Sequence, residues 1–267
     1  MGNTRSLIQL RQDISALGSA LVAFSGGVDS TFLLKICQEE LGDSLLAVTA
    51  DSDTYPSREL NEARHIAQSL GVEHEIIQTD EINIEGFKNN PPDRCYYCKR
   101  ELFSRLLAIA QKRRLSYVLD GSNADDTNDF RPGARAAAEL GIRSPLKESG
   151  LSKDDIRQFS REMGLPTWNK PAYACLSSRI PYGEEITHEK LQVIAKAEII
   201  LHDFGFTGCR VRYHGHVARL EIPAPYLAKA IEPEIRATLV SKLKAIGFTY
   251  VTLDLEGYRT GSMNEVL

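Results

Sequence analysis

The chain has 267 residues, of which 42% are hydrophobic and 25% charged, and its net charge is −4. That is the profile of a globular protein with room for one large domain or two ordinary ones. The balance of charge gives no general attraction to nucleic acid or to an anionic membrane surface. No charged-then-apolar leader precedes Gly18, and no apolar run nears the roughly 20 residues that span a bilayer. A cytoplasmic location is therefore expected, with Cys37, Cys95, Cys98, Cys175 and Cys209 in a reducing compartment, where thiols serve metals or catalysis before disulfides.

In chain order, apolar runs at Leu21–Phe24, Leu45–Ala50, His74–Gln78 and Tyr117–Asp120 read as strands. They alternate with helical patterns near 31–41, 57–70, 99–113 and 152–163. Such alternation predicts an α/β fold with a parallel sheet covered by helices over residues 1–170. Pro166, Pro171, Pro181 and Gly183 then interrupt any regular element, which places a boundary within 165–185. Beyond it a helix is expected at about 187–203, followed by an alternating hairpin from Arg210 to Ile222 turning at Gly215. A helix near 232–246 and a strand at Tyr250–Leu255 complete a smaller C-terminal α/β domain, residues 171–267. It includes the Cys175 loop.

The most informative segment is Ala23-Phe24-Ser25-Gly26-Gly27-Val28-Asp29-Ser30. A strand, a glycine turn and a helix N-terminus point successive N–H groups at one place, which makes an anion site. The glycines allow close backbone approach, and Ser25 and Ser30 add hydroxyls. No lysine follows the glycines, so this is not the loop that grips a transferred γ-phosphate. The competing reading is an ordinary glycine turn. S-G-G-x-D-S resembles the PP-loop of the ATP pyrophosphatases, which split ATP between the α and β phosphates. That resemblance implies ATP and Mg²⁺, with Ala23, Ser25, Gly26, Gly27, Asp29 and Ser30 at the nucleotide. Ligands of open α/β sheets bind beyond the carboxyl ends of the strands. Thr49, Gly121 and Asn123 at neighbouring strand ends join the expected nucleotide contacts, with the backbone near Thr49 facing the adenine. Asp29 and Asp125 are the expected magnesium carboxylates; for Asp125 and its neighbour Asp126 a solvated turn or helix cap is the competing reading.

Cys175 stands in a proline-bounded loop with Lys170 and Arg179, cations that favour a thiolate. A thiolate is well suited to displace AMP from an adenylated carboxylate. Cys95-Tyr96-Tyr97-Cys98 reads in three ways: a redox pair, half of a zinc site, or two ligands of an iron–sulfur cluster. Adding Cys175 gives three thiolates, which suits a cluster with one open iron. Cys37 and Cys209 read as packing residues. Arg210 and Arg212 share one side of their strand and suit bidentate binding of an anionic group, with a solvated strand face as the alternative. His214 and His216 flank the turn and read as surface residues.

Together the segments SGGVDST, PPDRCYYCKRELF, DGSNADD, SPLKESGLSKDDIR, KPAYACLSSRIPYGEEIT, RVRYHG and VTLDLEGYRTGSMNE resemble the LarE family over about Val22 to Asn264. These are ATP-dependent sulfur transferases that mature a nickel-pincer nucleotide cofactor. The resemblance implies a PP-loop (adenine nucleotide alpha hydrolase-like) domain, and adenylation of the carboxylates of pyridinium-3,5-biscarboxylic acid mononucleotide. It implies attack by Cys175, substrate contacts from Arg179, Arg210 and Arg212, and a homo-oligomer, with the C-terminal domain serving substrate binding and oligomerisation. Some members consume the cysteine, leaving dehydroalanine. Others carry C-x-x-C as well and hold a 4Fe–4S cluster on three cysteines; Cys95, Cys98 and Cys175 match that second pattern. A tRNA-thiolating PP-loop enzyme would call for a basic face or an RNA-binding module, which the charge and length argue against. An ammonia-dependent amidating synthetase would not call for three cysteines, and a non-catalytic nucleotide-binding protein would not call for a nucleophile.

Overall fold

The computed structural model describes every residue except 1, 2, 129–131, 172–174, 260 and 267. The chain divides into two compact units, Met1–Glu81 with Asp93–Tyr173, and Ile82–Pro92 with Ala174–Leu267.

The first unit carries, in chain order, α1 (Thr4–Ser15), β1 (Ala20–Ala23), α2 (Val28–Leu41), β2 (Leu45–Asp51), α3 (Ser57–Ser69), β3 (Glu73–Gln78), α4 (Arg94–Arg113), β4 (Tyr117–Leu119), α5 (Pro132–Glu139), α6 (Pro145–Glu148) and α7 (Lys153–Glu162). The strands form one parallel sheet in the order β3-β2-β1-β4. Side chains alternate across a strand, and the central strands use both faces for packing. Ala20, Val22, Leu45 and Ala47 join the core under α1, α2, α3 and α7. Leu21, Leu46, Val48 and Val118 join a second core with Phe103 and Leu106 of α4 and Ala137 of α5. Runs that are apolar on both faces are what a sheet buried between helix layers demands. The chain leaves β1 toward β2 on one side, while β4 flanks β1 on the other. The crevice beyond the ends of β1 and β4 is thus the switch point at which such sheets bind ligands.

The second unit adds α8 (His188–Asp203), β5 (Arg210–His214), β6 (Val217–Glu221), α9 (Leu227–Ala230), α10 (Pro233–Ala245) and β7 (Tyr250–Leu253). β5 and β6 form the expected antiparallel hairpin, turning at Gly215 with φ +60°, and β7 lies parallel to β6. Val211, Ala218 and Leu220 pack with Leu201 of α8 and Leu239 and Leu243 of α10. Residues 82–92 belong to this unit. Asn90, fully buried at φ +52°, donates from its amide to the carbonyls of Ile180 (3.1 Å) and Pro181 (2.7 Å). Among the described residues no helix is long and apolar enough to cross a membrane.

Candidate active site

The glycine turn begins where β1 ends. Gly26 adopts φ +67°, and a Cβ there would sit 3.1 Å from Cβ of Ala63 on α3, so only glycine fits both conformation and space. Gly27, in extended conformation, caps α2 without a side-chain bond. The Ser25 and Ser30 hydroxyls lie 3.0 Å apart, and Ser30 reaches the Gly27 carbonyl at 3.3 Å. Gly121, after β4, comes equally close: a Cβ there would meet the Ser30 nitrogen at 3.0 Å. Ser25, Gly26, Gly27, Asp29, Ser30, Gly121 and Asn123 therefore occupy one end of one sheet.

Asp29 lies in the first turn of α2, where a carboxylate complements the helix dipole. Its Oδ2 accepts from Lys153 Nζ at 2.6 Å. Its Oδ1 is buried beside the Asn123 amide without a full hydrogen bond. Burial pushes the Asp29 carboxyl above the usual carboxylate range, with Lys153 opposing the shift. An orphaned carboxylate oxygen next to an anion site suits a hard divalent cation completed by phosphate oxygens and water. Among the described residues no three His, Cys, Asp or Glu side chains gather into a metal-holding group. Asp125 Oδ2 accepts from the Lys153 backbone N–H at 2.8 Å, satisfying the first turn of α7, and Asp126 Oδ2 accepts from Asn123 N at 3.0 Å.

Thr49 is buried, and its hydroxyl turns inward. It donates to the Phe24 carbonyl (2.7 Å) and so accepts from His74 Nε2 (2.8 Å), which assigns the proton of neutral His74 to Nε2. Two further groups touch the loop: Tyr55 donates its phenol proton to the Ser25 carbonyl, and Lys170 Nζ donates to the Gly26 carbonyl at 3.1 Å. Sequence proximity suggests Lys170 as a neighbour of Cys175; its ammonium is instead paired within the first unit to Glu59 (2.7 Å) and Glu62 (3.0 Å). Nothing in the sequence marks Lys153, Lys170 and Tyr55 as loop partners. The only local signal is the capping box Ser152–Asp155, which starts α7 at Lys153.

Cys95, exposed, and Cys98, half-buried, stand at the N-terminal end of α4, three residues apart on one helical face. Two thiols so placed fit a soft metal or cluster. Cys175 belongs to the second unit, is exposed, and precedes the short 3-10 turn Leu176–Arg179. The Ala172-Tyr173-Ala174 part of its loop lies outside the described residues. Arg179 is wholly buried: it holds both oxygens of Glu198 (2.8 and 3.0 Å) and donates to the Cys175 carbonyl at 3.1 Å. Arg212 donates to the Ser178 carbonyl (3.1 Å), to Glu221 (2.6 Å) and to Ser262 (3.0 Å). Arg210 binds the Cys209 carbonyl at 2.7 Å and lies over the Tyr258 ring at 5.0 Å. Both β5 arginines are buried, so the alternative of a solvated strand face does not apply. Cys37 and Cys209 are buried, and burial raises both thiols, that of Cys209 to about 12. His214 and His216 are exposed.

The sequence profile described as queuosine biosynthesis protein QueC matches residues 19–88, the stretch holding the glycine loop. Over 92% of this chain and 89% of its own length, the pyridinium-3,5-bisthiocarboxylic acid mononucleotide synthase of Lactiplantibacillus plantarum is 41% identical. An uncharacterized protein of Synechocystis is 46% identical over 98% of this chain and 97% of its own length. More distantly, a component of the glutamine-hydrolyzing GMP synthase of Archaeoglobus fulgidus is 26% identical over 70% of this chain and 65% of its own length.

Proposed function

Because the chain belongs to the LarE family of PP-loop sulfur transferases, we propose that it converts pyridinium-3,5-biscarboxylic acid mononucleotide to the bisthiocarboxylic acid at the expense of ATP, in the biosynthesis of a nickel-pincer cofactor. The observation that carries the reading is the glycine turn between β1 and α2 with Asp29 at its rim and one Asp29 oxygen left without a full bond. The turn's amides hold the phosphates. Asp29 would hold Mg²⁺, which, when bound, supplies charge neutralisation at the phosphates. A substrate carboxylate oxygen attacks the α-phosphorus, the bond to the β-phosphate oxygen breaks, and pyrophosphate leaves. Cys175 supplies the sulfur side of the chemistry: its thiolate attacks the acyl carbon, a C–S bond forms, and AMP departs with the C–O electron pair. In the sacrificial version a base removes the Cys175 α-proton, the Cβ–S bond breaks toward sulfur, and thiocarboxylate and dehydroalanine remain.

Cys95, Cys98 and Cys175 have the donor chemistry for a 4Fe–4S cluster, which when bound would supply sulfide in place of the Cys175 sulfur. Arg179 and Arg212 hold the carbonyls of Cys175 and Ser178, so their part is to fix the turn that presents the thiol. The enzyme acts as a cytoplasmic homo-oligomer, which light scattering on the purified protein tests. Anaerobic incubation with substrate, Mg²⁺ and ATP, followed by mass spectrometry, tests the reaction. AMP, pyrophosphate and thiocarboxylate are expected; ADP and orthophosphate would overturn the PP-loop assignment. Iron content with an intact Cys175 supports the cluster, whereas loss of about 34 Da at Cys175, the mass of hydrogen sulfide, supports the sacrificial route.

A further inference from the structure

We propose that Tyr55 and Lys170 are positioning residues of the nucleotide site, each pinning one carbonyl of the glycine turn so that the following amide faces the phosphates. The inference rests on the reading that this loop binds ATP. A peptide unit is planar and trans, so its C=O and the next N–H point in opposite directions. Tyr55 holds the Ser25 carbonyl, which turns the Gly26 N–H away from the phenol. Lys170 holds the Gly26 carbonyl, which turns the Gly27 N–H away from the ammonium and toward the mouth of the loop, where it meets the Ser25 hydroxyl at a long 3.4 Å. These two amides are the successive donors from which an anion nest is built.

The two peptide units so held are the ones that flank Gly26. Glycine adopts positive and negative φ with similar ease, so they are the units a glycine turn leaves loosest. Pinning their carbonyls removes the competing orientation before the nucleotide arrives.

The chemistry of Lys170 separates this role from a direct contact. An ammonium has three protons, and here they meet Glu59, Glu62 and the Gly26 carbonyl. None is left for a phosphate in this arrangement. The Lys170 backbone is itself held, since Arg157 donates to its carbonyl at 2.8 Å and to that of Trp168 at 2.8 Å. Burial, with Glu59 and Glu62 adding to it, raises the Tyr55 phenol well above its ordinary range, so Tyr55 stays a donor.

The test is calorimetric titration of the full chain with ATP, inorganic pyrophosphate and adenosine. Tyr55→Phe deletes one hydroxyl, and Lys170→Met removes the ammonium. Each is expected to weaken ATP and pyrophosphate by about five- to tenfold, the worth of one preorganised hydrogen bond, while adenosine changes less than twofold. Lys170→Arg, which keeps a donor, is expected to recover ATP affinity. Lys170→Met also strips Glu59 and Glu62 of their partner, so a variant that does not fold leaves Tyr55→Phe to decide. Unchanged ATP and pyrophosphate affinity in Tyr55→Phe overturns the proposal. So does an equal loss for ATP and adenosine with a lowered melting temperature, the signature of a merely structural role. A wild-type chain that binds neither ATP nor pyrophosphate overturns the underlying reading of the loop instead.

Discussion

Replacing Arg212 by methionine tests what the buried arginines of the second unit do. The guanidinium bonds Glu221, which is wholly buried, along with Ser262 and the Ser178 carbonyl. Without it the Glu221 carboxylate keeps Ser262 Oγ at 2.7 Å and Arg219 at 3.3 Å, and Arg219 is shared with Asp254 at 2.8 Å. Breaking one side of a buried ion pair costs about 3–5 kcal/mol; because Arg219 remains, the expected loss is at the low end, about 3 kcal/mol. Urea unfolding followed by circular dichroism would read this as a lower midpoint at unchanged slope. The double variant Arg212→Met/Glu221→Leu removes the stranded charge and should recover most of the loss, since an apolar pair of similar volume often matches a buried ion pair. A single variant costing less than about 1 kcal/mol, or a double variant no better than the single, refutes this reasoning. If stability held while substrate affinity collapsed, Arg212 would be a substrate ligand, as its strand pattern suggests.

Gly121→Ala places a Cβ 3.0 Å from the Ser30 nitrogen and 3.2 Å from its Cα, both backbone atoms that cannot rotate aside. It should cost about 1–3 kcal/mol and weaken ATP, read by thermal melting and ATP titration. Asp29→Asn should abolish pyrophosphate release without lowering the melting temperature at pH 8, because burial already disfavours the ionised form; a large loss of stability would count against that account. The pH prediction concerns His74, whose burial, with Arg64 adding to it, lowers its affinity for a proton in the folded chain. The unfolded state then binds more protons below about pH 6.5. Stability is therefore retained above that pH and lost as pH falls through the folded value. Denaturation midpoints between pH 8 and 5.5 should fall for wild type and fall less for His74→Gln.

The alternation of strands and helices is readable because both faces of β1 and β2 are buried, which makes their sequences continuously apolar. The hairpin is readable for the opposite reason: alternating residues and a glycine at positive φ mark two strands and their turn. The first helix escapes a sequence reading, although Leu7, Leu10 and Ile14 have helical spacing, because polar residues dominate the rest of Thr4–Ser15. Residues 82–92 carry no local mark of their place in the second unit. Their anchor is the pair of bonds from Asn90 to carbonyls 90 and 91 residues away, and a lone asparagine in a polar stretch looks like a turn.

The site divides along the same physical line. A phosphate loop made of backbone amides is written in consecutive residues, so glycines, serines and Asp29 suffice to locate it. The side chains that orient those amides are bound by no such rule: Lys153 reaches Asp29 across 124 residues, and Lys170 reaches Gly26 across 144. Period two puts Arg210 and Arg212 on one side of a strand without saying whether that side meets water or protein. For Arg212 the answer lies with Glu221, an acidic residue on β6 whose complete burial no local pattern announces. Because buried guanidiniums hold the backbone carbonyls of Cys175 and Ser178, the nucleophile of the proposed reaction is exposed on a turn whose support is not. A reactive thiol must meet its substrate, and a fixed position lowers the entropic cost of reaching the acyl carbon. This division of labour, an exposed sulfur on a buried ionic base, links the fold of the second unit to the chemistry proposed for it.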